Sequence, residues 1–357
     1  MRTILPFGPQ HPVLPEPIHL KLVVEDETVV EALPNLGYVH RGLEKLTDIR
    51  DYNQMVNIVE RVCGICSCIH SLNYCEAVEK LLGLEVPQRA HFLRVMWGEI
   101  HRIHSHLLWL GLFADGFGFE SLFMQFWRIR ERAMDLMEAT AGNRVVISTN
   151  IVGGVRKDIT PEQKAWILAE TDKIEKEVRA LEKTILDDYT VKKRCCGKGV
   201  LTKEQAHQLG AVGPMLRGSG WAQDVRQTGY AAYGQLDFEP VVEYDGDSYA
   251  RSKVRFREVY AAADLIRQCL AKLPEGEINT KVKGKPEGEV WHRVEQPRGE
   301  LFYYIKGNGS KNLERVRIRT PTFANIPPLL AVLPGCELAD VPVIVLSIDP
   351  CISCTER

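Results

Sequence analysis

Over the first fifty residues the apolar positions come in short β-branched runs. Ile18–Val24 (IHLKLVV) and Thr28–Leu33 (TVVEAL) flank the acidic triplet Glu25, Asp26 and Glu27, a pattern that predicts a hairpin. From Asp51 the period changes. Met55, Ile58, Val59 and Val62 fall three and four residues apart, Cys63-Gly64 interrupts them, and Leu72, Cys75, Val78 and Leu82 resume the same spacing. Met96, Ile100, Ile103, Leu107 and Leu110 predict a second helix. Ser121–Ala141 predicts a third, closed by Gly142, and Thr160-Pro161-Glu162 opens another that runs to about Leu186. Between 190 and 247 periodic runs are scarce and glycines frequent, and a helical pattern returns over 249–272. Beyond Gly276 proline and glycine rise, with strands predicted at Glu300–Gly307 and Leu313–Thr320. The pattern predicts an α+β, mainly helical chain: a β unit over 1–50, a helical core over 51–190, a loop-rich and helical segment over 191–275, and an α+β segment over 276–357.

Composition narrows the picture. Lys plus Arg number 45 and Asp plus Glu 47, so the formal charge of −2 offers no basic surplus for nucleic acid. No apolar run approaches the roughly 18–20 residues of a membrane helix. The first residues, MRTILPFGPQHP, lack the apolar core of a secretory signal. Membrane association is therefore expected to come through partners. Ten cysteines in a chain without such a signal are expected to be thiols serving metals, catalysis or packing.

The sharpest chemistry is RVCGIC at Arg61–Cys66 together with DPCISC at Asp349–Cys354. Each C-x-x-C lets two thiolates reach one metal from a single turn, and four sulfurs suit soft or borderline ions. Joining them closes a loop of almost three hundred residues, but closure entropy grows only logarithmically, so a bound metal offsets it. On spacing alone a structural zinc site and a redox dithiol stay open. Zinc ribbons, however, pair their C-x-x-C units within a few tens of residues. Arg298 in PRGE reads either as a site guanidinium stiffened by Pro297 or as a surface partner of Glu295 or Glu300. Asp349-Pro350 reads as a turn, and Glu16, flanked by Pro15 and Pro17, as an acid on a restrained stretch.

These residues carry a resemblance. RVCGICSCIH and DPCISCTER are similar to the two cysteine signatures of the large subunit of nickel–iron hydrogenases. FGPQHPVLPEP, GYVHRGLEKL, GPMLRGSG and EQPRGELFYYIKGNG resemble the membrane-bound, energy-converting branch, of the Ech or CO-linked type, which is related to the 49 kDa subunit of respiratory complex I. The similarity runs from about Phe7 to Arg357. It implies that fold, with a central helical bundle and small β units near both termini, and reversible heterolytic cleavage of H2 with ferredoxin-level electrons.

Carried onto matching positions, the resemblance makes Cys63 and Cys351 terminal nickel ligands and Cys66 and Cys354 bridges from nickel to an iron holding one CO and two cyanides. It places Arg298 over the open metal position, Asp349 as the carboxylate that holds it, and Thr322 beside a cyanide. Glu16 becomes a proton relay. Two departures stand out. The last residue is Arg357 where relatives have a metal-ligating His. A guanidinium cannot ligate a metal, so Arg357 is expected to pair with Glu44 and make a magnesium ion unnecessary. His104-Ser105-His106 replaces a His-Asp-His, so Ser105 stands where an arginine-positioning Asp would be.

No iron–sulfur cluster of its own is expected. The implied partners are a small hydrogenase subunit with a proximal 4Fe–4S cluster, ferredoxin-like iron–sulfur subunits and integral membrane subunits that translocate H+ or Na+. The N-terminal β unit and GYVHRGLEKL are the candidate contacts, and the expected location is the cytoplasmic face of the cell membrane. Ending at Arg357 implies either a mature form or a chain made without a tail. Cys75 is read as core, Cys68 as packing or as a support for the site ligands beside the motif, Cys195-Cys196 as a surface loop, and the histidines of HRIHSH as polar packing or proton-path groups. His11 and His40, matched to quinone-site elements in the complex I relative, carry no quinone role here.

Overall fold

A computed structural model describes residues 2–12, 14 and 16–357; Pro15, invoked above as one of the two prolines around Glu16, lies outside them. Three antiparallel strands open the chain: β1 (Arg2–Phe7), β2 (His19–Glu25) and β3 (Thr28–Asn35), in the order β1-β2-β3. Asp26 and Glu27 make the two-residue turn of the predicted hairpin, both at positive φ, as such turns require. The pattern does not predict β1. That strand carries Pro6 and pairs on one side only, which is where a sheet tolerates proline.

The centre is helical. The helices α1 (Tyr52–Val59), α2 (Ser67–Leu82), α3 (Gln88–Asp115) and α4 (Glu120–Ala141) precede a short ribbon of β4 (Asn150–Ile151) and β5 (Gly154–Val155). Then come α5 (Pro161–Leu186), α6 (Tyr189–Cys195), α7 (Lys203–Gln208), α8 (Pro214–Arg217) and α9 (Ser248–Lys272). Gly142 ends α4 in the left-handed conformation, and Thr160 with Gln163 forms a capping box on α5. Cys195-Cys196 is not a surface loop. Cys195 closes α6 and is buried, because Val191 and Cys195 form the inward stripe of that helix; Cys196 is exposed.

The helix α3 is the axis of the bundle, packed against α4 on one side and α9 on another. It is buried nearly all round, charged residues included. Burial of charge is tolerated where partners are in place. Arg94 makes two bonds to Glu79 at 2.9 and 2.6 Å, Arg102 reaches Glu99 at 3.0 Å, and His106 meets Glu258 at 2.8 Å.

The C-terminal part forms a second antiparallel sheet, β6 (Glu287–Gln296), β7 (Gly299–Asn308) and β8 (Leu313–Arg319), followed by α10 (Pro321–Val332), α11 (Val341–Ser347) and α12 (Ile352–Thr355). The strand β6 is likewise absent from the pattern, since its first half is charged and exposed; its partner β7 supplies the burial that makes it a strand. The turn between them is Pro297-Arg298, so the hairpin delivers Arg298 at its tip. Two hydrophobic clusters tie the segments together. One spans the helices and the β6–β8 sheet, and includes all four motif cysteines; the other joins the N-terminal sheet to residues of 201–216 and 326–352. Among the described residues, no helix is long and apolar enough to cross a membrane.

Candidate metal centre

The first cysteine pair sits where a helical run stops. Cys63 is extended (φ −148°, ψ 133°) after Val62, and Cys66 is the N-cap of α2, so the C-x-x-C bends into the core just before a buried helix starts. The second pair brackets the start of α12. Ahead of it, Asp349 stands at φ +56°, a left-handed conformation that Asp tolerates better than most residues. That twist turns its carboxylate toward Arg298.

The two pairs meet. Cys63 Sγ lies 3.3 Å from Cys351 Sγ, and Cys66 Sγ 3.6 Å from Cys354 Sγ, with all four cysteines buried. The sulfurs of Cys63, Cys351 and Cys354 lie within 4.8 Å of one another, and Cys66, His70 and Cys354 make a second such group. Four thiols this close cannot all ionise without a cation. Hydrogen bonds from Cys351, Cys354 and Cys66 pull the Cys63 thiol well below its ordinary pKa, whereas burial pushes Cys66 and Cys354 well above theirs. A buried all-sulfur donor set fits a soft, redox-active metal.

The second pair is held by its backbone. Thr322 Oγ1 accepts the Cys351 amide at 3.1 Å, and Thr320 Oγ1 donates to the Cys354 carbonyl at 3.1 Å. Glu16 accepts the amides of Ile352 and, at 3.3 Å, of Ser353. Glu16 also lines a cleft of about 510 Å³ with Gln10, His11 and Leu14 among others, so one acid touches both the cysteine loop and a route to the surface. Burial lifts its pKa to about 7; the nearby Cys63 adds to the rise and Arg298 opposes it.

Arg298 points into the same place. Its Nη2 donates to Asp349 Oδ1 at 2.8 Å and its Nε to the Asp349 carbonyl at 2.9 Å, while Nη1, buried, has no partner among the described residues. Burial works against its charge, yet Asp349 and the sulfurs of Cys351, Cys63 and Cys66 raise its pKa well above the ordinary value. The surface reading of this arginine fails. Glu295 pairs with Arg217 at 2.8 Å and Glu300 with Arg293 at 3.1 Å and with Arg319. Gly213 lets the Arg298 turn approach, because a Cβ there would come 2.3 Å from the Arg298 carbonyl oxygen.

The remaining candidates fall around this centre. Arg357 Nε lies 3.2 Å from Glu44 Oε1, and Glu44 also accepts from Ile318 N at 2.9 Å and Arg317 Nη1 at 2.8 Å. Ser105 is buried on α3, and its hydroxyl has no partner among the described residues. Cys75 is core, and Cys68 accepts from Asn150 Nδ2 at 3.5 Å. Residue-by-residue reading of the sequence does not single out His70, whose Nε2 is 3.5 Å from Cys354 Sγ and whose Nδ1 is 2.7 Å from the Tyr303 hydroxyl. A signal for it exists: four residues after Cys66, it falls on the same face of α2.

Comparison with known proteins gives the family. The model described as respiratory-chain NADH dehydrogenase, 49 Kd subunit, matches residues 116–284 and 280–357, and the one described as nickel-dependent hydrogenase matches residues 41–112. The chain is 40% identical to the carbon monoxide-induced hydrogenase of Rhodospirillum rubrum, over 99% of both chains. It is also 40% identical to the membrane-bound hydrogenase subunit alpha of Pyrococcus furiosus, over 99% of this chain and 87% of that one. The chain belongs to the family of energy-converting nickel–iron hydrogenase large subunits. That family shares ancestry with complex I. Correspondingly, an NADH-quinone oxidoreductase subunit of Koribacter versatilis is 36% identical over 97% of this chain and 94% of its own. The α+β, mainly helical fold and the activity on H2 expected from the motifs follow from this membership.

Proposed function

We propose that this chain is the catalytic subunit of an energy-converting hydrogenase that interconverts H2 with two protons and two electrons of ferredoxin level. The observation that carries the reading is the convergence of Cys63, Cys66, Cys351 and Cys354, from opposite ends of the chain, into one buried cluster with sulfurs 3.3 and 3.6 Å apart. Cys63 and Cys351 would hold nickel, and Cys66 and Cys354 would hold both nickel and iron, the iron carrying CO and two cyanides. When bound, the metal pair supplies a soft, redox-active centre for heterolytic cleavage of H2.

The chain's own groups position and move charge. Asp349 fixes the Arg298 guanidinium near the sulfurs, with Nη1 left unpaired among the described residues, and a permanent cation there would polarise H2 at the metal pair. Pro297 narrows the turn that presents it. The Thr322 hydroxyl anchors the Cys351 amide and keeps its proton free to meet a cyanide. Glu16, poised near neutrality and bordering an open cleft, takes a proton from the side of Cys351 and returns it to solvent, or the reverse. Glu44, held by Arg357, Arg317 and the Ile318 amide, needs no magnesium ion to satisfy its charge.

Electrons would arrive through a small subunit with a 4Fe–4S cluster and ferredoxin-like subunits. Membrane subunits translocating H+ or Na+ would anchor the complex on the cytoplasmic face of the membrane. The relatives named for membrane-bound hydrogenase and formate hydrogenlyase subunits support such an assembly.

Metal analysis with infrared spectroscopy tests the reading. Equimolar nickel and iron, with CO and cyanide stretching bands, is the expected result. No metal would favour a nickel-free, complex I-like subunit, and zinc alone a structural assembly protein; either overturns the proposal. Cys354→Ser should abolish both the bands and activity.

A further inference from the structure

The loop after β3 grips the end of the chain. Val39 N donates to Glu356 Oε2 at 2.5 Å, His40 Nδ1 meets the Glu356 carbonyl at 3.1 Å, and Glu44 pairs with Arg357. Arg41, between them, does something different. Its Nη1 donates to the Arg61 carbonyl at 2.7 Å, and its Nη2 donates to the Val62 carbonyl at 2.7 Å and to the Ser353 carbonyl at 3.1 Å.

Those three carbonyls are not equivalent. Val62 immediately precedes Cys63, and Ser353 lies between Cys351 and Cys354. One guanidinium therefore binds the backbone of both C-x-x-C loops. The other backbone holds described above act on the second pair alone: Glu16 on Ile352 and Ser353, Thr322 on Cys351, Thr320 on Cys354. Before a cation arrives the thiols contribute only weak sulfur hydrogen bonds between the pairs, Cys63 with Cys351 at 3.3 Å and Cys66 with Cys354 at 3.6 Å. A planar fork with five donors suits this task, because it reaches carbonyls in two directions without rotating. Lysine, a point charge on a flexible stem, cannot reproduce that geometry.

We propose that Arg41 is a positioning residue that sets the spacing between the two cysteine pairs, holding the four sulfurs in register for a metal before it binds. The inference rests on the metal-centre reading given above, but its test does not need a working hydrogenase.

The experiment uses the full-length, metal-free chain and compares wild type with Arg41→Ala and Arg41→Lys. Amide hydrogen exchange is read over Ile352–Glu356 and, as an internal control, over α3. Affinity for Co2+ alone is measured from the intensity of its thiolate charge-transfer absorption, which counts bound sulfurs. Arg41→Ala should speed exchange in the C-terminal segment roughly tenfold or more while leaving α3 unchanged, about the loss expected when charge-assisted bonds go. It should bind Co2+ more weakly, with an absorption corresponding to two thiolates instead of four. Arg41→Lys should lie between the two. Added guanidinium should restore the Arg41→Ala protein, and methylammonium should not.

Unchanged exchange and unchanged Co2+ absorption in Arg41→Ala would overturn the proposal. So would equal rescue by the two cations, or an acceleration that spreads through α3 and is not reversed by guanidinium, since that is general destabilisation. Should the wild-type protein isolated from its own cells carry no nickel while the metal-free chain shows these Arg41 effects, the hydrogenase reading would fail and the positioning role would stand.

Discussion

Gly213 lies against Arg298 so closely that a methyl group in place of its hydrogen would stand 2.3 Å from the arginine's carbonyl oxygen and 2.4 Å from the Cα of Gly299. Gly213 also has φ +64°, where an L side chain is strained. The loop before α8 and the tip of the β6–β7 hairpin are thus in direct backbone contact, and that contact sets where the guanidinium sits.

Gly213→Ala should therefore move Arg298 without touching a metal ligand. A displacement of about 1 Å at a positioned catalytic group costs on the order of 10²-fold in rate. The expected outcome is a drop of that size in H2 turnover with nickel and iron content unchanged, read by metal analysis beside kinetics.

Arg298→Lys keeps the charge but loses the pair of bonds to Asp349. Turnover should fall by roughly 10²- to 10³-fold, the size seen when one preorganised electrostatic donor is lost. If the iron carries CO and cyanide as proposed, their infrared bands should shift with the moved cation.

Glu16 has a folded-state pKa of about 7, raised by burial and by Cys63. Glu16→Gln removes the proton carrier and keeps the acceptor oxygen for the Ile352 and Ser353 amides. H/D exchange should slow by about 10²-fold, and the inflection near pH 7 in the wild-type pH–rate profile should vanish while the metals stay bound. An unaltered profile would take Glu16 off the proton path.

Glu76 gives a stability test that touches none of the four motif cysteines. Asn73 Nδ2 donates to the Leu301 carbonyl, so Asn73 Oδ1 must accept from His292 Nδ1 at 2.7 Å. That leaves an unprotonated Nε2 3.4 Å from Glu76 Oε2. Burial raises the Glu76 pKa to about 7, opposed by Arg94. A raised carboxyl pKa means that the folded state holds a proton the unfolded state has released. This contribution is present below about pH 4.5 and is lost as pH rises to about 7. Thermal melts of Glu76→Gln and wild type should therefore diverge through that window, the variant gaining relative to wild type as pH rises, with a constant difference above it.

Local pattern and chemistry go far on their own. The period-3.6 stripes of α3 and α4, the Thr160 cap, the Gly142 stop and the two C-x-x-C motifs are properties of neighbouring residues, and so is the order of elements they imply. Local signals do not carry contacts between distant segments. The pattern cannot show that β6 is a strand, because only pairing with β7 buries its residues. It reads Cys195 as exposed, because a seven-residue helix carries too little periodicity to reveal a buried stripe. It leaves Arg298 undecided between a surface ion pair and the site until the fold brings Asp349 to within 2.8 Å of it. The amino-acid sequence by itself determined which atoms are available to bind a metal: four thiols whose softness is intrinsic to sulfur. Only the tertiary structure decided that they share one buried pocket with a guanidinium over it. That meeting depends on packing two hydrophobic clusters together across nearly the whole chain, and no short stretch of residues encodes it.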